Sequence, residues 1–163
     1  MKVVLTHWQI QQKIRRLAYE IYENHFEEKS LYLLGIEPMG LHLAKLLQKE
    51  LEEISPLQIH LAGLQLDKNN PLNNEIKVSV SAEILSNQNI IVVDDVLNSG
   101  KTMFYALKPF FEIPLKKLQT LVLINRNYKT YPVNPDYVGY ALATTLQEHI
   151  KVVLDEEWAV YIS

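Results

Sequence analysis

An uninterrupted apolar run, Ile90-Ile91-Val92-Val93, leads straight into two adjacent carboxylates, Asp94-Asp95, and then through Val96-Leu97 into the small-residue stretch Asn98-Ser99-Gly100-Lys101-Thr102. Four consecutive apolar residues have no wet face, so they suit a strand covered on both sides, in the middle of a parallel sheet. A carboxylate pair has no place in such an interior. The run predicts a strand that ends in the acidic pair, followed by a loop and a helix opening near Lys101. Pro109 is expected to end or kink that helix. In open α/β sheets ligands bind beyond the carboxyl ends of the strands, which makes this segment the place to look for chemistry.

The rest of the chain reads as strands alternating with helices. Thr6 and Gln9 form a capping box ahead of Ile10, Ile14, Leu17, Ala18 and Ile21, which recur at helical spacing and predict a helix over Gln9 to Asn24. Leu31 to Ile36 and Leu118 to Ile124 are short apolar runs and read as buried strands. Leu41, Ala44, Leu47 and Leu51 mark a second helix, with a strand around Leu57 to Leu64 after it. Asp67 to Asn74 is polar and turn-rich, hence a loop. Ile76, Val78 and Val80 alternate with polar residues as on a half-wet strand. Short strands are expected around Tyr137 to Tyr140, Lys151 to Leu154 and Trp158 to Tyr161.

At 163 residues, 48 % of them hydrophobic and 21 % charged, the chain is of a size for one domain, 1–163, and is neither disordered nor fibrous. It has no cysteine, which excludes disulfides, zinc–thiolate sites and cysteine nucleophiles. No apolar leader opens it and no run is long enough to span a bilayer, so a cytoplasmic location with no membrane partner is expected. A net charge of −3 does not advertise nucleic-acid binding. The five histidines lack metal-ligand spacing, and Lys13, Arg15 and Arg16 read as a solvated helix face.

Ser99, Gly100 and Thr102 offer hydroxyls and approachable backbone amides at a helix start, where a phosphate is favoured. Asp94 and Asp95 can accept hydrogen bonds from vicinal sugar hydroxyls, or hold a magnesium ion beside them. Phosphate at one end and diol at the other describe a ribose 5-phosphate. A P-loop would need glycine where Asp95 stands, so the nucleoside-triphosphate cradle is incomplete.

Val92 to Thr102 resembles the phosphoribosyl-pyrophosphate (PRPP) motif of the type I phosphoribosyltransferases. Leu34-Gly35-Ile36-Glu37-Pro38-Met39-Gly40 looks like the pyrophosphate loop of that family, and Asn134 to Gly139 like the segment preceding its base-binding strands. Leu121 to Arg126 and Lys151 to Glu156 have counterparts in the pyrimidine-operon attenuator/uracil phosphoribosyltransferase branch, to which the resemblance is nearest. It implies an α/β fold with a mainly parallel central sheet flanked by helices and a small hood built from terminal segments.

The resemblance also implies a reaction in which a nucleobase, here a pyrimidine such as uracil, displaces pyrophosphate from PRPP. Asp94 and Asp95 would act on the ribose, and Val96, Leu97, Asn98, Ser99, Gly100, Lys101 and Thr102 would bind PRPP. Glu37, Pro38, Met39 and Gly40 would receive pyrophosphate, with Lys68 on a flap. Arg126, Ile150, Lys151 and Val152 would lie at the base, and Mg²⁺ would be held by Asp94, Asp95 and Asp155. A homodimer or larger homo-oligomer is expected, and RNA is a less favoured partner. The loop carries Glu37-Pro38-Met39 where that branch has basic residues, and a carboxylate facing pyrophosphate has the wrong sign. A PRPP- or nucleotide-sensing regulator with weakened catalysis is therefore the alternative. Asn98 stands where purine-specific relatives often carry Asp, and a neutral amide cannot act as a base.

Overall fold

The computed structural model describes residues 1–145 and 147–163. The chain runs β1 (Lys2–Leu5), α1 (His7–His25), β2 (Ser30–Ile36), α2 (Met39–Ile54), β3 (Gln58–Gln65) and β4 (Lys77–Val78). It continues with α3 (Ala82–Leu85), β5 (Asn89–Leu97), α4 (Lys101–Ala106), β6 (Lys117–Asn125), β7 (Tyr137–Ala141), β8 (Ile150–Val153) and β9 (Ala159–Ile162). Six strands form one sheet in the order β4-β3-β2-β5-β6-β7, parallel except for β4. The terminal strands make a second, antiparallel sheet, β1-β9-β8, the expected hood.

The double burial of β5 follows from its sequence. Ile91 and Val93 pack on one face with Leu33, Leu121 and the apolar stripes of α1 and α2, including Ile10, Leu17, Leu43 and Leu47. Ile90 and Val92 pack on the other face with Leu34, Val122, Leu85, Met103 and Phe110. All four β5 side chains are fully buried, each worth about 1.5–3 kcal/mol of transfer free energy. The hood joins the first of these clusters through Leu5, Val152, Leu154 and Val160. His7 ties it down further: its Nδ1 accepts from Trp158 N at 2.9 Å, and the two rings stack at 4.5 Å.

The capping box forms, with Gln9 Oε1 accepting from Thr6 N at 2.9 Å, and α1 starts two residues earlier than the spacing predicts. Pro109 lies in a single 3-10 turn, Lys108–Phe110, just after α4 stops. Three expectations change. The strand expected over Ile76 to Val80 shrinks to the two residues of β4, although the burial alternation holds across it. β1 and α3 were not anticipated; both are four residues long, too short for a periodicity to show. Finally, β5 does not stop at the carboxylates but runs on to Leu97.

Candidate active site

That extension explains how two carboxylates sit on a central strand. Pairing of β5 with β2 ends at Gly35–Val93, whereas pairing with β6 continues to Leu97–Asn125. Beyond Val93 one side of β5 is therefore open, and the start of α2 closes over it. A Cβ on Gly40 would stand 2.3 Å from Val93 O and 3.1 Å from Asp94 Cα. Only glycine lets the 37–40 loop come this close, and the contact brings that loop to the acidic pair.

Asp94 is buried, 2 % exposed, and Asp95 is half-buried. Asp94 Oδ1 accepts from Asp95 N at 2.9 Å and from Lys68 Nζ at 3.1 Å. Lys68 Nζ also lies 3.9 Å from Asp95 Oδ1. Burial, and next the charge of Asp95, push the Asp94 carboxyl up to about 8 against the opposing pull of Lys68. Sequence reasoning placed Lys68 on a flap, and its ammonium rests on the acidic pair.

The loop after β5 turns at Gly100, whose φ of 89° lies in the left-handed region open to glycine. Thr130 N and Tyr131 N both donate to Ser99 O, at 2.9 and 3.1 Å, and pin the loop from behind. Asp94 and Val96, Leu97, Asn98, Ser99, Gly100, Lys101 and Thr102 line one narrow hollow of about 30 Å³. The structure thus gathers one expected ribose residue and all the expected PRPP-loop residues around a single space.

Other expected residues are placed differently. Glu37 leans over β3: a Cβ on Gly63 would meet Glu37 Oε1 at 2.6 Å, and the carboxyl borders a hollow with Gln65, Lys77 and Ser79. β3 and β5 flank β2 on opposite sides, so this carboxylate faces away from the strand that carries the acidic pair. Arg126 is 7 % exposed and does not present its guanidinium to open space. It donates to Asn98 Oδ1 at 2.9 Å, Thr144 Oγ1 at 2.8 Å, and the carbonyl oxygens of Thr145 and Glu148 at 3.1 and 2.8 Å.

Ile150, Lys151 and Val152 lie on β8, which among the described residues pairs only with β9 and packs near β5. The outer edge of β8 therefore keeps backbone donors and acceptors free of ladder pairing. Asp155 is exposed in the turn after β8, and no cluster of three or more His, Cys, Asp or Glu forms among the described residues. The expected metal trio with Asp155 is not assembled. The Asp94–Asp95 pair, which already holds one ammonium, has the oxygen donors suited to a divalent cation.

A mostly parallel sheet whose central strand delivers an acidic pair and a phosphate-type loop beneath a terminal hood defines the type I phosphoribosyltransferase class. The chain belongs to this family: residues 2–159 match the phosphoribosyl transferase domain. It is similar to the bifunctional protein PyrR of Leuconostoc mesenteroides, 32 % identical over 166 residues, covering 95 % of this chain and 92 % of that protein. The bifunctional protein PyrR of Macrococcus caseolyticus is 29 % identical over 164 residues, with coverages of 95 % and 92 %. Among solved structures, the hypoxanthine phosphoribosyltransferase of Trypanosoma cruzi superposes with a TM-score of 0.80 at 14 % identity, covering 98 % of this chain and 95 % of that one. That likeness is one of fold. No helix among the described residues is long and apolar enough to cross a membrane.

Proposed function

We propose that the protein, acting as one phosphoribosyltransferase domain over residues 1–163, transfers ribose 5-phosphate from PRPP to a pyrimidine base such as uracil and releases pyrophosphate. The observation that carries this reading is the meeting of Asp94 with the Asn98–Thr102 loop around one hollow. The loop amides and hydroxyls would hold the 5-phosphate, and Asp94 and Asp95 the ribose 2- and 3-hydroxyls. A base nitrogen bonds to C1 as the C1–oxygen bond to pyrophosphate breaks, with the base proton lost to solvent. Positive charge grows on the ribose ring during this exchange, and the two carboxylates stabilise it. Asp94 and Asp95 would hold Mg²⁺, which would supply positive charge to offset that of the departing pyrophosphate. The free edge of β8 at Ile150 to Val152 would read the base. Lys68 must leave the acidic pair when the ribose arrives, which frees its ammonium for the leaving group. The setting would be cytoplasmic and the assembly a homodimer or larger.

A second reading, a PRPP- or nucleotide-sensing regulator, is favoured by one feature: no basic side chain stands in Glu37-Pro38-Met39-Gly40. RNA is a less favoured partner, since Arg16 is engaged by Glu20 and the Val138 carbonyl, and Lys13 lies over Tyr140. Titrating PRPP with Mg²⁺ by calorimetry, then supplying labelled PRPP with uracil, hypoxanthine, guanine and adenine, tests both. Uracil-dependent turnover supports the transferase, binding without turnover on any base supports the sensor, and no binding overturns both.

A further inference from the structure

Arg126 follows the end of β6 as a buried cation that the proposed reaction does not touch. No carboxylate pairs with it among the described residues. Its charge is solvated instead by four neutral acceptors, and one of them is the side-chain oxygen of Asn98. A guanidinium carries donors only, so the Asn98 atom that faces it has to be Oδ1. The usual ambiguity between the oxygen and nitrogen of an amide is removed by its partner. Asn98 itself is exposed and borders the hollow lined by Asp94 and the PRPP loop.

We propose that Arg126 is a positioning residue that fixes Asn98 as a hydrogen-bond donor, so that position 98 reads an acceptor atom on the ligand and cannot take a proton from it. With Oδ1 occupied, what Asn98 has left to offer is its two N–H groups. A cation bound at the amide oxygen draws electron density from the nitrogen and makes those N–H groups better donors. The same guanidinium holds Thr144, Thr145 and Glu148, in the connection that leads into β8. Position 98 therefore stands where the sugar-phosphate side of the site meets the base side. Ligands presenting an oxygen or an unprotonated ring nitrogen there are selected, and those presenting an N–H are disfavoured. This inference rests on the phosphoribosyl reading and deepens it.

The test is calorimetry on the full chain with two probes, ribose 5-phosphate and uridine 5-monophosphate. The variants are Asn98→Ala, Asn98→Asp, Arg126→Lys and the double variant Asn98→Ala/Arg126→Lys, with thermal midpoints checking the fold. Asn98→Ala changes an exposed side chain, so it keeps the test decisive even if the Arg126 variant unfolds. We expect Asn98→Ala to weaken binding about tenfold, the loss of one net hydrogen bond. Arg126→Lys should match it, because lysine keeps the charge but lacks the planar fork, and the double variant should be no worse than either single one. Asn98→Asp should bind no better than Asn98→Ala. A loss on both probes puts the acceptor on the sugar phosphate, and a loss on the nucleotide alone puts it on the base; both support the proposal. Unchanged affinity in Asn98→Ala, additive losses, or Asn98→Asp binding as well as wild type would overturn it. Wild type binding neither probe would overturn the phosphoribosyl reading, and this inference with it.

Discussion

Lys68 Nζ lies 3.1 Å from Asp94 Oδ1 and 3.9 Å from Asp95 Oδ1, so an ammonium from the 66–76 loop sits where a metal ion or ribose would be held. Two carboxylates side by side, one of them buried, repel each other, and the lysine offsets that repulsion in the absence of ligand. Lys68→Met removes the competitor. We expect Mg²⁺ to bind about tenfold more tightly, as for loss of one charge-assisted contact, while turnover falls because the leaving group loses a cation. Calorimetric Mg²⁺ titration and kcat report the two effects. Unchanged Mg²⁺ affinity would show that the ammonium and the ion do not compete.

Asp94→Asn should separate stability from activity. Burial raises the Asp94 carboxyl from the ordinary 3.8 to about 8, so between these values the folded chain binds more protons than the unfolded one. Stability from this group is then complete below the unfolded value and is lost as pH rises toward the folded one. Asparagine cannot ionise, so the variant should lack this downward slope and unfold at a higher temperature than wild type at pH 8. Turnover should fall about a hundredfold or more with the loss of a transition-state charge. Thermal unfolding from pH 4 to 9 reads the first effect. A variant less stable at pH 8 would mean that the charged pair with Lys68 is what holds this part of the fold.

Gly40→Ala should damage the site through the backbone. The added methyl would stand 2.3 Å from Val93 O, a distance no carbon keeps, so the start of α2 must shift away from β5. We expect PRPP affinity to fall and the protein to lose about 1–3 kcal/mol of stability, the usual cost of overpacking. Denaturant unfolding and PRPP titration check this. Full affinity would mean that the 37–40 loop does not line the pyrophosphate position.

Glu37→Gln should do little. The carboxyl lies over Gly63 on the β3 side of the sheet, so neutralising it removes no repulsion from the leaving group. PRPP affinity should stay within about threefold of wild type, the range of substitutions outside a contact. A large gain would place the carboxylate against the anion after all.

The framework was legible in the sequence wherever one local pattern decided the outcome. Ile90 to Val93 has no wet face, so β5 had to be central, and Gly100 marked the turn into α4. The capping pair Thr6 and Gln9 are three residues apart and announced α1. What stayed hidden was non-local. Arg126 reaches Asn98 across 28 positions, and Lys68 reaches Asp94 across 26. No spacing rule connects such pairs; only the sheet order brings them together. Nothing local to either residue showed that Arg126 turns to Asn98 or that Lys68 turns to the acidic pair. β1 was missed because Lys2 to Leu5 is half-wet and becomes a strand only by pairing with β9, at the other end of the chain.

The proposed phosphoribosyl transfer to a base depends on Asp94 and Asp95. Its most direct test is release of pyrophosphate from PRPP with Mg²⁺ and uracil, measured for wild type and Asp95→Asn. Asp95 is the partner of choice because it is half-buried and its replacement leaves the Asp94–Lys68 pair in place. We expect wild type to release pyrophosphate only when a base is present, and Asp95→Asn to retain about a hundredth of that rate or less, with a thermal midpoint no lower than that of wild type. Equal rates in the two proteins, or no release from wild type with any base, would contradict the claim.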